Sequence, residues 1–225
     1  MDEHMAQLES SAFGEPPSPI MIRIMLGGWG FAMNVEERIE KSFRSLLTRM
    51  SYQKITVSAI CEDAGIARKT FYVHFTDKEA LVAHIFKRDV VMTQSQLREL
   101  LPRDYAVENA VMFNVKLYQS VLAEKDFYIR LVGPMRGVDD TFLRVATNII
   151  YEYNLMILDE RGTELPAWER DYTAYFFGSS QAMLMQKWIS DGMEIPPEKL
   201  GELYSRLALG YWRDRNDQAQ FPSYK

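Results

Sequence analysis

The sequence is poor in several features, and each shortage closes a class of function. Cysteine occurs once, at Cys61, so no intramolecular disulfide can form and nothing calls for an oxidising compartment; the cytoplasm is the expected location. The three histidines (His4, His74, His84) are scattered and no cysteine pair stands at ligand spacing, so neither a metal site nor a cofactor is expected. No run approaches the roughly 18 apolar residues of a membrane span. The longest candidate, Pro19 to Met33, is broken by Arg23, Gly27, Gly28 and Gly30, and Asp2, Glu3 and Glu9 stand where a basic leader would be. Gly28-Trp29-Gly30 lacks the third glycine and the preceding strand of a phosphate loop. Gly178-Ser179-Ser180 falls inside a helical stretch, where it suits close helix packing better than a nucleophile elbow. No catalytic machinery is visible, and no enzyme is expected.

An excess of positive charge is also missing, since the 225 residues carry a net charge of −5. The distribution matters more than the sum. From Asn34 to Arg88 there are ten Lys or Arg against seven Asp or Glu, a local +3, which leaves −8 for the rest of the chain. A mildly basic N-terminal module on an acidic body would turn that module toward a phosphate backbone. Apolar residues at 47% and charged residues at 25% are the balance of a folded chain large enough for a substantial core.

Residues 1–33 are punctuated by Ser, Pro and Gly without a sustained period, and read either as a disordered tail or as a mis-assigned start, with translation beginning at Met33. Helical periodicity begins next. Ile39, Phe43, Leu46, Leu47 and Met50 predict a helix over 35–50, and Ser51 to Lys54 reads as a short polar connection. Thr56 stands at an N-cap position ahead of Val57, Ile60, Cys61 and Ala64, a helix over 57–64. Gly65 can take the left-handed conformation that ends it, with Ile66 closing a tight turn. A short third helix over 67–73 follows. Thr76-x-x-Glu79 reads as a capping box opening a fourth helix, which carries Leu81, Ile85 and Phe86 toward Leu100. Beyond it helices are expected at 105–124, 126–132, 139–160, 167–191 and 197–213, with a disordered tail over 216–225. The fold class is therefore all-α: an N-terminal three-helix head over 34–90, with a helix-turn-helix at about 56–75, and a helical body over 91–215.

Two helices joined by a tight glycine turn can set the second into a DNA major groove. Here the second helix opens with Arg68 and Lys69, suited to guanine acceptors or phosphate, followed by Thr70, which can contact a base or a thymine methyl. Tyr72 and His74 offer donors to phosphate oxygens, and Lys78 would add a cation beside the amides of the fourth helix. The plain alternative for Arg68 and Lys69 is a solvated basic face; Phe71 and Phe75 are assigned to the core of the head.

At these residues the chain resembles the tetracycline-repressor (TetR/AcrR) family. The matching string runs Thr56-Val57-x-x-Ile60-x-x-x-Ala64-Gly65-Ile66-x-Arg68-x-Thr70-Phe71-Tyr72-x-His74-Phe75-x-Asp77-Lys78-Glu79-x-Leu81. The resemblance implies an all-α homodimer paired through the last two long helices. It also implies that Thr56, Arg68, Lys69, Thr70, Tyr72, His74 and Lys78 face a palindromic operator, and that a small-molecule effector binds the body and releases the DNA. The sequence departs from the family at Ala67, where Ser or Thr usually caps the recognition helix and touches phosphate.

The C-terminal half is rich in aromatics. Phe113, Tyr153, Trp168, Tyr172 and Phe176 are the candidates for an effector pocket, against the plainer reading of aromatics at helical spacing as core or dimer interface. Met112, Met156, Met183 and Met185 could line an adaptable pocket or fill packing gaps. The expectation is thus a regulator that represses until its effector binds. The alternatives are an activator, a regulator controlled by a protein partner, and, from another class, a helical adaptor or enzyme with a vestigial DNA-binding head.

Overall fold

The computed structural model describes residues 33–92, 106–133, 139–160 and 165–216, with side chains undescribed at 106–110 and 209–216. The expectations for residues 1–32, for the stretch 93–105 and for the tail from 217 lie outside the described residues. Among those described there are nine α-helices and no strand: α1 (Val35–Leu47), α2 (Val57–Ala64), α3 (Arg68–His74), α4 (Lys78–Phe86), α5 (Ala106–Ala123), α6 (Lys125–Val132), α7 (Thr141–Glu160), α8 (Ala167–Ser190) and α9 (Pro197–Asn216).

The head is built around α1, whose Ile39, Phe43, Leu46 and Leu47 are buried at the spacing read from sequence. Phe71 from α3, Ile60 from α2 and Leu81 from α4 close the same core, each with no exposed surface. A large apolar side chain removed from water in this way contributes about 1.5–3 kcal/mol. Residues 51–54 depart from expectation. They form a 3-10 turn, Tyr52–Lys54, and Tyr52 is a core residue at 3% exposure, with its ring edge-on to Phe43.

The start of α4 is also corrected. Its N-cap is Asp77, whose carboxylate accepts from the Ala80 amide at 2.8 Å, one position later than the Thr76 box. Glu79, expected to complete that box, instead accepts from Arg144 of α7 at 2.6 and 3.0 Å. After Phe86 the chain loosens into a π-helical stretch, Lys87–Met92, rather than continuing as one regular helix through that stretch.

In the body, α7 and α8 run antiparallel. Tyr151 meets Asp171 and Tyr175, Asn154 donates to the Ala174 carbonyl, and Arg170 pairs with Asp159. Gly178 sets their closest approach, because a Cβ there would stand 2.9 Å from the Tyr151 amide nitrogen. This is the close packing the Gly178-Ser179-Ser180 run suggested. Helices α5 and α9 pair antiparallel as well, with Gln119 donating to Glu198 and Asn114 to Ser205.

Head and body are fastened by aromatic packing and by ion pairs. Phe43 of α1 meets Phe127 of α6, and Phe86 of α4 meets both Tyr128 of α6 and Phe142 of α7. Beside them Arg44 donates to Glu40 and to Glu124, Arg88 donates to Glu40, and the buried Tyr128 hydroxyl donates to Asp89 at 3.0 Å. Burial works against ionisation of Glu40, yet the Arg88 and Arg44 donors hold its carboxyl below the usual carboxylate range. The described residues from Glu36 onward accordingly belong to one compact unit.

Candidate nucleic-acid interface

The candidate site is the turn between α2 and α3 together with the outer surface of α3. Helix α2 starts where Thr56 accepts a hydrogen bond from the Ala59 amide at 3.1 Å. It stops at Gly65, whose φ of 63° and ψ of 42° lie in the left-handed region that only glycine enters without cost. The Ile66 amide then donates to the Cys61 carbonyl and the Gly65 amide to that of Glu62, a Schellman ending. Arg38 of α1 locks the turn from the other side, its Nη2 donating to the Ala64 carbonyl at 2.7 Å and the Gly65 carbonyl at 3.0 Å. Sequence reasoning passed over Arg38, since nothing in α1 alone shows that its guanidinium reaches across 26 residues to those carbonyls.

The turn aims α3. Phe71 faces inward with no exposed surface, while Arg68, Lys69, Tyr72, Val73 and His74 are exposed and Thr70 is half-buried. Arg68 donates to the Tyr72 hydroxyl at 3.4 Å, one helical turn away. Ala67 takes the extended conformation of an N-cap but makes no side-chain bond, so α3 begins without the cap that a Ser or Thr would supply.

Besides Arg68 and Tyr72, which meet each other, three more of the seven residues singled out from sequence have partners inside the chain. The Thr56 hydroxyl is engaged as an acceptor in the α2 cap, and its own hydrogen stays available to an outside acceptor. His74 sits with Nδ1 3.0 Å from a Glu36 carboxylate oxygen, tying the end of α3 to α1. Lys78 departs most from expectation. Its Nζ donates to the Tyr52 carbonyl at 2.8 Å and the Ile55 carbonyl at 3.1 Å, and lies 3.9 Å from the centroid of the Tyr52 ring. Burial holds its pKa below the ordinary value, with Asp139 pulling the other way. The carbonyls of the 3-10 turn end beside the start of α4, so the lysine satisfies them instead of reaching outward. The Tyr52 carbonyl already accepts from the Ile55 amide at 3.1 Å inside the turn, so Lys78 is a second donor there, and nothing local to Lys78 in the sequence announces it.

Cys61 is buried in α2, and desolvation pushes its thiol up, the condition of an inert packing residue. An open cleft of about 410 Å³ lies beside Lys78, lined by Tyr52, Gln53, Asp77, Glu79, Asp139 and Thr141. Its acidic lining does not suit phosphate.

The aromatics expected to line an effector pocket separate into two groups. Phe113 and Tyr153 are half-buried within the body. Trp168, Tyr172 and Phe176 are 67, 70 and 63% exposed. With Tyr175 and Met183 they lie along one side of α8, at three and four residue steps from Trp168 to Phe176 and two turns further on at Met183, and so stand on an outer face instead of around an enclosed cavity. Among the described residues no helix is long and apolar enough to cross a membrane.

Comparison with known proteins agrees with this geometry. The family model described as bacterial regulatory proteins, tetR family, matches residues 44–85. A second model, described as transcriptional regulator C-terminal region, matches residues 108–210. The chain is 41% identical over 51 residues to the HTH-type dhaKLM operon transcriptional activator DhaS of Lactococcus lactis, a match covering 23% of this chain and 27% of that protein. The aligned stretch thus spans about a quarter of that relative's length. It is 24% identical over 147 residues to the HTH-type transcriptional regulator SAB2452 of Staphylococcus aureus, covering 54% of this chain and 78% of that one. Among solved structures, a putative TetR-family regulator from Syntrophomonas wolfei superposes with a TM-score of 0.55 at 15% identity, over 79% of this chain and 94% of that one. The fatty acid degradation regulator FadR from Bacillus halodurans gives 0.52 at 16%, over 79% and 96%. At these identities the structural likeness is one of fold.

Proposed function

The chain belongs to the TetR family of bacterial DNA-binding transcriptional regulators, and from that premise we propose that it is a homodimeric repressor whose two heads read a palindromic operator through Arg68, Lys69, Thr70 and Tyr72. The division is a head over residues 34–90 and a regulatory body over 91–215. The observation that carries the reading is the outward face of α3, basic and polar, held at the end of a turn fixed by Gly65 and Arg38. Two such faces related by a two-fold axis match two half-sites of a palindrome. Thr56 and His74 serve the flanking phosphates, and Lys78 is reassigned as a positioning residue that holds the 52–55 turn.

Homodimerisation through α8 and α9 is supported by the uncovered apolar residues on them, Trp168, Tyr172, Tyr175, Phe176 and Met183 on α8 and Leu207 on α9. Trp168, Tyr172 and Phe176 are therefore assigned to that interface, and of the pocket candidates only Phe113 and Tyr153 remain for an effector held within the body. One observation favours a second reading of sign: the 41% identical relative is named an activator. A reporter fused to the regulated promoter, with and without the protein, decides the direction.

The primary test is an anisotropy titration of the full chain against the intergenic DNA beside its own gene, with a scrambled duplex as control and salt varied. Tight binding that prefers the intergenic duplex and weakens steeply with salt is expected. Equal, weak binding to both, repeated in a genome-wide selection of bound fragments, would leave the adaptor reading.

A further inference from the structure

We infer that Val73 reads sequence directly, packing its isopropyl group against the 5-methyl group of a thymine in each half-site. The inference rests on the DNA-binding reading and adds a base-contacting residue that the basic character of α3 does not reveal.

The argument starts from helix geometry. Successive residues are rotated by about 100°, so residues two positions apart are separated by about 160° around the axis. Phe71 is the only fully inward residue of α3. Lys69 and Val73, two positions before and two after it, therefore point most squarely away from the head. Arg68 and His74 lie about 60° from Phe71, and Thr70 and Tyr72 about 100°, so all four sit on the flanks. Their contacts agree with that placement, because Arg68 meets Tyr72 and His74 meets Glu36. The outermost ridge of the helix is thus one cation and one branched hydrocarbon, a turn apart.

Val73 is 74% exposed, more than any other large hydrophobic side chain among the described residues. Single exposed apolar residues are ordinary on protein surfaces and carry no message alone. Valine is nevertheless a poorer helix former than the residues that usually cover a solvated helix face, and here it occupies the ridge of a seven-residue helix whose other exposed members are polar or amphipathic. In a major groove the one apolar feature on offer is the methyl group of thymine. The chemistry of the ridge selects its counterpart: Lys69 for a guanine O6/N7 edge or a phosphate, Val73 for a thymine methyl. Four residues advance about 6 Å along a helix and each base step about 3.4 Å along a strand, so the thymine lies within about two base pairs of the group met by Lys69.

The test uses an operator obtained by selecting bound duplexes from a random pool with the full chain. Each thymine of a half-site is replaced in turn by deoxyuridine, which removes the 5-methyl group and nothing else, and affinity is measured by anisotropy at fixed salt for the wild type and for Val73→Ala. The substitution leaves the fold alone, since the side chain is exposed and Ala is the better helix former; circular dichroism checks this. Loss of one buried methyl corresponds to about a fourfold weakening per half-site. The wild type should show that loss at one thymine position. Val73→Ala should bind the unmodified operator less tightly and be indifferent to deoxyuridine at that position, with non-specific binding unchanged. If Val73→Ala keeps the full deoxyuridine penalty at every position, or binds the operator as tightly as the wild type, the inference is overturned while the regulator reading stands. If the wild type selects no sequence at all, both fall together.

Discussion

Helices α3 and α8 both turn an uncovered face outward, but α3 presents Arg68, Lys69 and Tyr72 where α8 presents Trp168, Tyr172, Tyr175, Phe176 and Met183. A cationic face is content in water and gives up little when unoccupied, so it suits a partner that comes and goes. An aromatic face of that size loses hydration free energy for as long as it stays uncovered, so it suits a partner that stays. The lengths agree. Helix α3 has seven residues and depends on the turn and on α1 for its direction, whereas α8 has 24 and holds its own course. One face is read as the DNA contact and the other as the contact with a second copy of the chain, and each should be removable without the other.

The largest expected effect is at α3. Replacing Arg68 and Lys69 together by alanine should weaken operator binding by at least about 100-fold, since each base or phosphate contact of this kind is worth about 1–3 kcal/mol and a dimer makes each twice. Light scattering should still report a dimer. A double variant that is folded by circular dichroism and binds as well as the wild type would end the assignment of α3 as the reading helix.

Next comes α8. Tyr172→Ala combined with Phe176→Ala removes two rings from the middle of the exposed stripe, and central interface aromatics cost about 2 kcal/mol or more when truncated. The dimer dissociation constant should rise by about 30-fold or more, with operator affinity falling because half-sites are then bound singly. Scattering that finds the wild type monomeric at micromolar concentration would remove the contrast between the two faces altogether.

How much of this was legible in the sequence differs between the two regions for a physical reason. Thr56, Gly65, Ile66 and Phe71 carry local conformational requirements, a cap, a positive φ, a turn closure and an inward face, and each was readable because it is satisfied within a few residues. Tyr52, Arg38 and Lys78 were not. Lys78 pairs with carbonyls 26 and 23 residues away, and Arg38 with carbonyls 26 and 27 away; no period or spacing records a contact of that range. The aromatics of α8 fall between these cases. Their spacing defines a face, but whether the same chain or another copy covers it depends on where α7 lies, and Gly178 and Tyr175 had to be seen against Tyr151 to show that α7 packs along one edge of that face and leaves most of it uncovered.

A smaller effect tests the ion-paired junction between the head that carries α3 and the body that carries α8. At neutral pH, Glu40→Gln leaves Arg44 and Arg88 without their shared carboxylate, and should cost about 1–3 kcal/mol in urea unfolding. The folded carboxyl titrates below its ordinary value of 4.5, so its contribution is present above that pH and is lost as the pH falls through the folded value. The stability gap between wild type and Glu40→Gln should therefore close on acidification below 4.5. A gap that stays constant from neutral pH down to pH of about 3 would show that packing, not charge, accounts for it.

The smallest effect separates the two helices by their dependence on local caps. Both begin without a side-chain cap, α3 at Ala67 and α8 at Pro166. In Ala67→Ser the hydroxyl would meet the free amides of the first turn of α3 from a backbone already extended, with φ −72° and ψ 147°. A gain of about 1 kcal/mol is expected, or about 2–4 °C in melting temperature for a chain of this size. The same change at Pro166 should do less for α8, since proline's fixed φ already suits that start and most of the stability of a 24-residue helix comes from its packing on α7. Amide exchange resolves the difference: protection should rise across α3 in Ala67→Ser and stay level across α8 in Pro166→Ser. Equal responses would mean that α3 owes its position to tertiary packing as fully as α8 does, and that the missing cap costs the head nothing.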